Sequence, residues 1–206
     1  MKVLMINGSP EKNSCTNRAL TEIAETLKKE GIESEIIQIG REVVRGCTAC
    51  QACEKLGRCA FDDIVNKVAA RLDEFDAFIV GSPVYYASGN GTVYSFLDRL
   101  FYSAGSKLRY KPAAAVAVAR RAGTTATLDT LNKYFTINQM PVVSSTYWNM
   151  VHGFTPEDVE KDLEGLQTMR NIGHNMAWLL KCIEAGKKQG LDAPATESGC
   201  WTHFIM

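Results

Sequence analysis

The sequence predicts an α/β fold: a doubly wound sandwich built on a five-stranded parallel sheet of order 2-1-3-4-5, with helices on both faces. Two observations predict it. Short apolar runs rich in Val, Ile and Ala alternate along the chain with longer segments whose apolar residues recur at helical spacing. The strand-like runs are also apolar at nearly every position, as strands covered on both faces must be. Strands that alternate with helices pair in parallel through crossover connections.

Residues 2–6 (KVLMI) form the first strand, and NGSPEKNSCTN after them is a loop marked by Gly, Pro, Asn and Ser. From Thr16 onward, Leu20, Ile23, Ala24 and Leu27 share a helical face, and Lys28-Lys29-Glu30-Gly31 reads as its stop. The second strand is 34–39 (SEIIQI), the third 77–80 (AFIV), the fourth 113–119 (AAAVAVA) and the fifth 141–145. Helices are expected over 63–72, capped by Asp63, and over 92–102 and 125–135. Thr155-Pro156 sets an N-cap before an N1 proline, so the last helix is expected over 156–187. Cys182, beside Leu179 and Leu180, is expected in the core. The whole chain, 1–206, reads as one domain with a Cys-rich insertion at about 45–62 and an irregular tail at about 188–206.

Composition narrows the function. The 206 residues are 46% hydrophobic and 22% charged, the balance of a globular protein with a sizeable core. Twenty-three Lys and Arg balance 23 Asp and Glu, which argues against a general nucleic-acid binder. No apolar run approaches the about 20 residues of a membrane span, and MKVLMINGSP turns polar too early for a signal peptide. A cytoplasmic location is expected. Disulfides are rare there, and an odd total of seven cysteines also argues against a disulfide framework.

In open parallel sheets ligands sit beyond the carboxyl ends of the strands, where the strand order reverses. Three Gly-, Ser- and Thr-rich loops leave those ends: 8–17, 81–91 and 120–124. The first enters a helix N-terminus with Ser9, Ser14, Thr16 and Asn17, which suits a phosphate. It lacks the Gly-Lys-Ser/Thr ending of a P-loop and is not GxGxxG. Plain helix capping by Ser14 or Thr16 is the competing explanation. The second loop, GSPVYYASGNG, carries Tyr85 and Tyr86, suited to flank a flat ring or simply to cover the sheet edge. A phosphate loop and an aromatic loop at one edge suggest a mononucleotide with a flat ring, and FMN fits best.

Four of the seven cysteines fall within thirteen residues, spaced Cys47-x2-Cys50-x2-Cys53-x5-Cys59. A [4Fe–4S] cluster takes four thiolates around a compact cube, and Gly57 supplies a turn back to the fourth. The spacing is not that of a bacterial ferredoxin, which has x3 before Cys-Pro. Zinc, normally held by two separated CxxC knuckles, and a Cys47–Cys50 redox pair remain as rivals, as does a loop with no cluster. Cys15 lies at a helix N-terminus, which is expected to lower its pKa. His152 follows the fifth strand near the expected site. No Ser/His/Asp arrangement stands out.

KVLMINGSPEKNSCTN, GCTACQACEKLGRCAFDD, the apolar helix after it and GSPVYYASGNGTVYSFLDR occur in this order over about half the chain. Together they resemble the flavodoxin-like NADPH-dependent FMN reductases, and within them the iron–sulfur flavoproteins. The resemblance implies that Ser9, Ser14, Cys15, Thr16 and Asn17 hold the FMN phosphate. It implies that Pro83, Val84, Tyr85 and Tyr86 line the isoalloxazine, with Arg120, Gly123 and Thr124 near its far side. Cys47, Cys50, Cys53 and Cys59 would hold a [4Fe–4S] cluster if one is present. The family often has Arg after GSP, whereas this chain has Glu11, which is expected to point away from the phosphate.

The expected activity is electron transfer from NAD(P)H, or from a ferredoxin-like protein donor, to a quinone-like or other small acceptor, with the flavin carrying the chemistry. A cluster-free FMN reductase and a flavodoxin-type carrier are the alternatives. Flavodoxins are usually strongly acidic, and the zero net charge favours the enzyme. The resemblance also implies a homodimer or homotetramer. The final helix and the tail residues Trp201, Phe204 and Ile205 are candidates for that contact.

Overall fold

β1 (Lys2–Asn7) is buried from its second residue onward, so it needs cover on both faces and a neighbour on both edges. β2 (Glu33–Gln38) and β3 (Ala77–Tyr85) flank it, followed by β5 (Ala113–Ala119) and β6 (Met150–His152). All four pairings are parallel, and the order β2-β1-β3-β5-β6 is the expected one with a hairpin strand skipped. That extra strand, β4 (Ser88–Gly89), pairs antiparallel with the end of β3. The computed structural model describes residues 1–200 and 202–204, so Trp201 and Ile205 lie outside the described residues. Among the described residues no helix is long and apolar enough to cross a membrane.

Side chains alternate along a strand. Val3 and Met5 therefore join one core, and Leu4 and Ile6 the other. The first core lies under α1 (Cys15–Lys29), α6 (Pro156–Val159) and α7 (Leu163–Lys188). The second lies under α3 (Ile64–Ala69), α4 (Gly91–Ala104) and α5 (Thr124–Ile137). On that second face β5 offers only Ala113, Ala115 and Ala117. Their small size leaves room for Phe78, whose ring meets Phe101 at 6.1 Å and Phe135 at 6.2 Å, both edge-on. Each such pair contributes about 1 kcal/mol beyond its buried area.

Three expectations need correction. The fifth parallel strand is Met150–His152, not 141–145. Pro141 has no N–H to donate, and only Val142 bridges to Ala113 before the chain leaves the sheet. Ser145 then hydrogen-bonds the Tyr147 carbonyl and Asn149 Oδ1, closing a bulge, and the Asn149 carbonyl accepts from Ala117 where the chain returns. The last helix is broken: α6 is a single capped turn, and the Asp162 carboxylate starts α7 afresh by accepting from the Gly165 amide. Cys182 is exposed, because the buried face of α7 runs through Met176, Ala177 and Leu180 instead.

The outer strand β2 is pinned through Glu35. Its carboxylate accepts both arms of the Arg71 guanidinium at 2.7 and 2.8 Å and the Lys2 ammonium at 2.8 Å. Arg71, then Lys2, lowers the Glu35 pKa from 4.5 to about 2. A depressed folded-state pKa contributes stability above the unfolded value that is lost as pH falls toward the folded one. Glu35→Gln should therefore lower stability by about 1 kcal/mol near neutrality, a figure typical of partly exposed pairs. In urea unfolding, the gap to the wild type should shrink as pH falls from 4.5 toward about 2. A gap that stays constant with pH would show that Glu35 does not carry this linkage.

Candidate functional site

β1, β3, β5 and β6 all end at one edge of the sheet, because they are parallel. The loops leaving β1 and β3 meet there: the Gly8 amide donates to the Gly81 carbonyl at 2.9 Å. The loops leaving β3 and β5 meet as well, since a Cβ on Gly123 would lie 2.5 Å from the Ala87 Cα. Gly123 has φ +96°, so both its conformation and its contact require glycine. The connection after β1 covers one face and the connection after β3 the other, so the strand order reverses between these two strands. The three loops singled out in the sequence thus form one continuous rim.

In the first loop Ser14 is the N-cap of α1, its hydroxyl accepting from the Asn17 amide at 3.1 Å. Cys15 and Thr16 occupy the first two helical positions, whose N–H groups have no partner inside a helix. Thr16 is buried almost completely as a residue. Ser9 is buried and its hydroxyl accepts from the Glu11 amide. Both serine hydroxyls keep a proton to donate. Arg41 holds the Glu11 carboxylate at 2.7 Å on the exposed side, so the one carboxylate in the loop is directed to a cation and neutralised. Burial raises the Cys15 pKa, and the nearby Asp158 and Glu157 add to the rise, overriding the lowering expected from the helix N-terminus. An array of helix-end amides and hydroxyl donors fits the FMN phosphate.

Three residues brace this loop, and only Asn7 lies within the quoted segment KVLMINGSPEKNSCTN. Asn7 accepts from the Ser9 amide at 3.0 Å, and Gln38 donates to the Ser9 carbonyl at 3.0 Å. Gly40 lies so close that a Cβ there would sit 2.2 Å from the Ser9 carbonyl group. Only pairing of β1 with β2 brings 38–40 beside Ser9, and strand pairing is not written in local spacing.

In the second loop β3 continues through Pro83 and Val84 to Tyr85 and turns back through β4. Tyr86 and Ala87 form the turn with φ of +50° and +58°. The Tyr94 hydroxyl fixes the hairpin by accepting from the Gly89 amide at 2.8 Å. Tyr85 is half-exposed and Tyr86 fully exposed beyond the sheet edge. In the third loop Arg120 is exposed, while the Thr124 hydroxyl is buried and donates to the Met150 sulfur at 3.3 Å. Thr124 thus presents backbone, not hydroxyl, to the rim. His152 ends β6 at the same edge, its amide bound to Asp162 Oδ2 at 2.7 Å.

The Cys-rich segment folds into a turn and a short helix α2 (Ala52–Leu56), and Cys47, Cys50, Cys53 and Cys59 line one pocket beside Arg99 and Tyr102. The pocket is a shallow concavity open to solvent on one side. Ala49 and Gln51, on either side of Cys50, have φ of +51° and +57°, so the backbone turns sharply on both sides of Cys50. Among the described residues no three His, Cys, Asp or Glu side chains are close enough to hold a single metal ion. A cube keeps its four ligands further apart than one ion does, so four thiols around one pocket fit a cluster. The Ala52 amide, then the Thr48 hydroxyl, lowers the Cys50 pKa; burial, then Cys50 and Cys59, raises that of Cys53.

The far end of this segment is fastened. Asn66 donates to the Cys59 and Phe61 carbonyls at 2.9 and 3.2 Å and accepts from the Cys59 amide at 3.1 Å. Arg99, only 1% exposed, bonds Asp63 through both terminal nitrogens at 2.5 and 3.0 Å, and its Nε donates to the Cys59 sulfur at 3.2 Å. Burial works against the Arg99 charge, but Asp63 and then Cys59 outweigh it, and its pKa is raised. Arg99 closes the segment GSPVYYASGNGTVYSFLDR and Asn66 lies in the apolar helix after the cysteines, but nothing in the sequence marks these roles; each reads there as an ordinary helix residue.

Residues 1–155 match the family model described as NADPH-dependent FMN reductase. An iron–sulfur flavoprotein of Methanocaldococcus jannaschii is 32% identical over 192 residues, covering 89% of this chain and 100% of that one. An iron–sulfur flavoprotein of Methanosarcina thermophila is 27% identical over 191 residues, covering 91% and 99%. A flavodoxin, WrbA-like protein from Agrobacterium tumefaciens shares the fold with a TM-score of 0.61 at 19% identity, over 88% of this chain and 97% of that one. The chain therefore belongs to the flavodoxin-like NADPH-dependent FMN reductases, in their iron–sulfur flavoprotein branch, and is an FMN-dependent oxidoreductase.

Proposed function

We propose that this chain moves electrons from NAD(P)H, or from a ferredoxin-like protein, to a quinone-like or other small acceptor, and that Cys47, Cys50, Cys53 and Cys59 hold a [4Fe–4S] cluster. The observation that carries the cluster is that all four cysteines line one pocket. Bound FMN supplies hydride and one-electron chemistry, and a cluster would accept or deliver single electrons. The chain's own residues bind and orient. The amides of Cys15 and Thr16 and the hydroxyls of Ser9 and Ser14 receive the phosphate. The hairpin at Val84–Tyr86 and the Arg120–Thr124 turn bound the ring site on two sides. Tyr86, fully exposed, is placed to shield the ring from water or to meet an acceptor. A homodimer or homotetramer belongs to this reading, and Trp178, exposed on α7, is a surface that such a contact would cover.

Protein purified without oxygen should show a flavin spectrum with about four irons per chain. Cys53→Ser should lose the iron and keep FMN. Flavin without iron would leave a cluster-free FMN reductase in which the Cys loop is structural.

Gly40→Ala tests the phosphate loop. The added methyl must displace the Ser9 backbone, so FMN should bind about tenfold more weakly, roughly 1.4 kcal/mol, with the fold retained by circular dichroism. Unchanged affinity in a flavin titration would move the phosphate away from residues 9–17.

A further inference from the structure

We infer that Arg99 is a positioning residue for the cluster: its guanidinium fixes Cys59 as the fourth ligand and makes the bound cluster easier to reduce. The inference rests on the cluster reading above.

A buried guanidinium is costly unless its charge is matched and its donors are used. Arg99 is among the largest fully buried side chains of the molecule, on a helix face otherwise made of Phe96, Leu97 and Leu100. Asp63 matches the charge through the two terminal nitrogens, and the Phe61 and Arg45 carbonyls accept from the same nitrogens at 2.9 and 3.4 Å. The Nε–H is not needed for any of these contacts. It points at the Cys59 sulfur instead, at 3.2 Å. The fork is rigid, so binding Asp63 on one side aims Nε at the sulfur on the other. Cys59 is separately held by Asn66 through both its amide and its carbonyl. Of the four cysteines it is thus the one placed before any metal arrives.

A reduced cluster carries one more negative charge than an oxidised one. Hydrogen bonds to its sulfurs and nearby positive charge favour the reduced form. Arg99 supplies both, from a site where water does not screen it. Asp63 partly offsets the charge. The two residues should therefore act in opposite directions on the potential, although breaking either disrupts the same ion pair.

The test uses the full chain purified without oxygen, as wild type, Arg99→Gln, Arg99→Lys and Asp63→Asn. Iron and sulfide content, bound FMN and a spin-resonance-monitored reduction titration are the readouts. FMN content should be equal in all four. Arg99→Gln should make reduction of the cluster about tenfold less favourable, a potential about 59 mV lower for a one-electron couple, and should reduce iron content. Arg99→Lys, which keeps the charge, should recover part of the potential. Asp63→Asn, which still caps α3, should shift the potential upward. If Arg99→Gln fails to keep iron, the opposite shifts of Arg99→Lys and Asp63→Asn carry the test. Wild-type potential in the Arg99 variants, or the same direction of shift for Arg99 and Asp63 variants, overturns the inference. Absence of iron from the wild type overturns the cluster reading itself.

Discussion

The site depends on the pairing of β1 with β3. β1 is buried over nearly its full length and β3 over its first six residues, and their connections leave on opposite faces of the sheet, which opens the space above their ends. The last rung, from the Gly8 amide to the Gly81 carbonyl, lies directly below that space. It fixes the distance between the loop that ends in the α1 N-terminus and the loop that carries the tyrosine hairpin. A phosphate and a flat ring must be held at a set separation by different loops. Here the separation of the two loops is a property of strand register, which close packing on both faces keeps stiff. The third loop then docks on the second through Gly123 rather than on the sheet, so the ring side of the site is set by one hairpin and what leans on it.

The Cys-rich segment is attached by different physics. It contributes little apolar surface: Cys47, Cys50 and Leu56 are exposed. Hydrophobic burial therefore cannot hold it, and polar contacts do. Asn66 closes on the backbone at Cys59 and Phe61, and the Arg99–Asp63 pair locks the same point to α4. Replacing such a buried pair with apolar residues often costs nothing, whereas breaking one side costs about 3–5 kcal/mol. The pair is thus poorly explained as a source of stability alone. What it provides is one defined position for the chain at Cys59, with Phe61 lying under both Arg45 and Arg99 at 4.3 and 5.4 Å.

Much of this was legible in the sequence, for identifiable reasons. Runs such as KVLMI and AAAVAVA can be buried only on both faces, so the parallel sheet and its strand order followed, and the three loops at its edge followed from the sheet. The fifth strand was misplaced because Pro141–Val142 does touch β5; the distinction between one bridge and a strand rests on Ser145 and Asn149 closing a bulge. The break before α7 was hidden because Asp162 looks like any helix-surface acid until its carboxylate turns onto the Gly165 amide. Gln38 and Gly40 were missed for a common reason: their role is set by Ser9, about 30 residues away across a strand pair; Asn7 acts on Ser9 two residues on, through a side chain that reads as a strand end. Arg99 was missed because local pattern treats an arginine on an amphipathic helix as solvent-facing, and it is instead the helix's inward residue.

Backbone strain links the two loops. Among the described residues six non-glycine positions have positive φ, and four of them are Ala49, Gln51, Tyr86 and Ala87. A left-handed conformation costs roughly 1–2 kcal/mol at such residues, so each must be imposed by its surroundings. For Tyr86 and Ala87 the cause is visible: β4 pairs with β3, Tyr94 clamps Gly89, and Gly123 abuts Ala87. For Ala49 and Gln51 the anchorage lies at the other end of the segment, at Cys59 and Asp63. Three cysteines ride on the strained turn and the fourth on the fixed support. In the proposed holoprotein a cluster would connect the two, so that Arg99 and Asn66, acting through Cys59, would brace Cys47, Cys50 and Cys53 as well. The strain at Ala49 and Gln51 would then belong to the proposed metal-bound state of the loop, as the strain at Tyr86 and Ala87 belongs to the hairpin that Gly123 and Tyr94 hold.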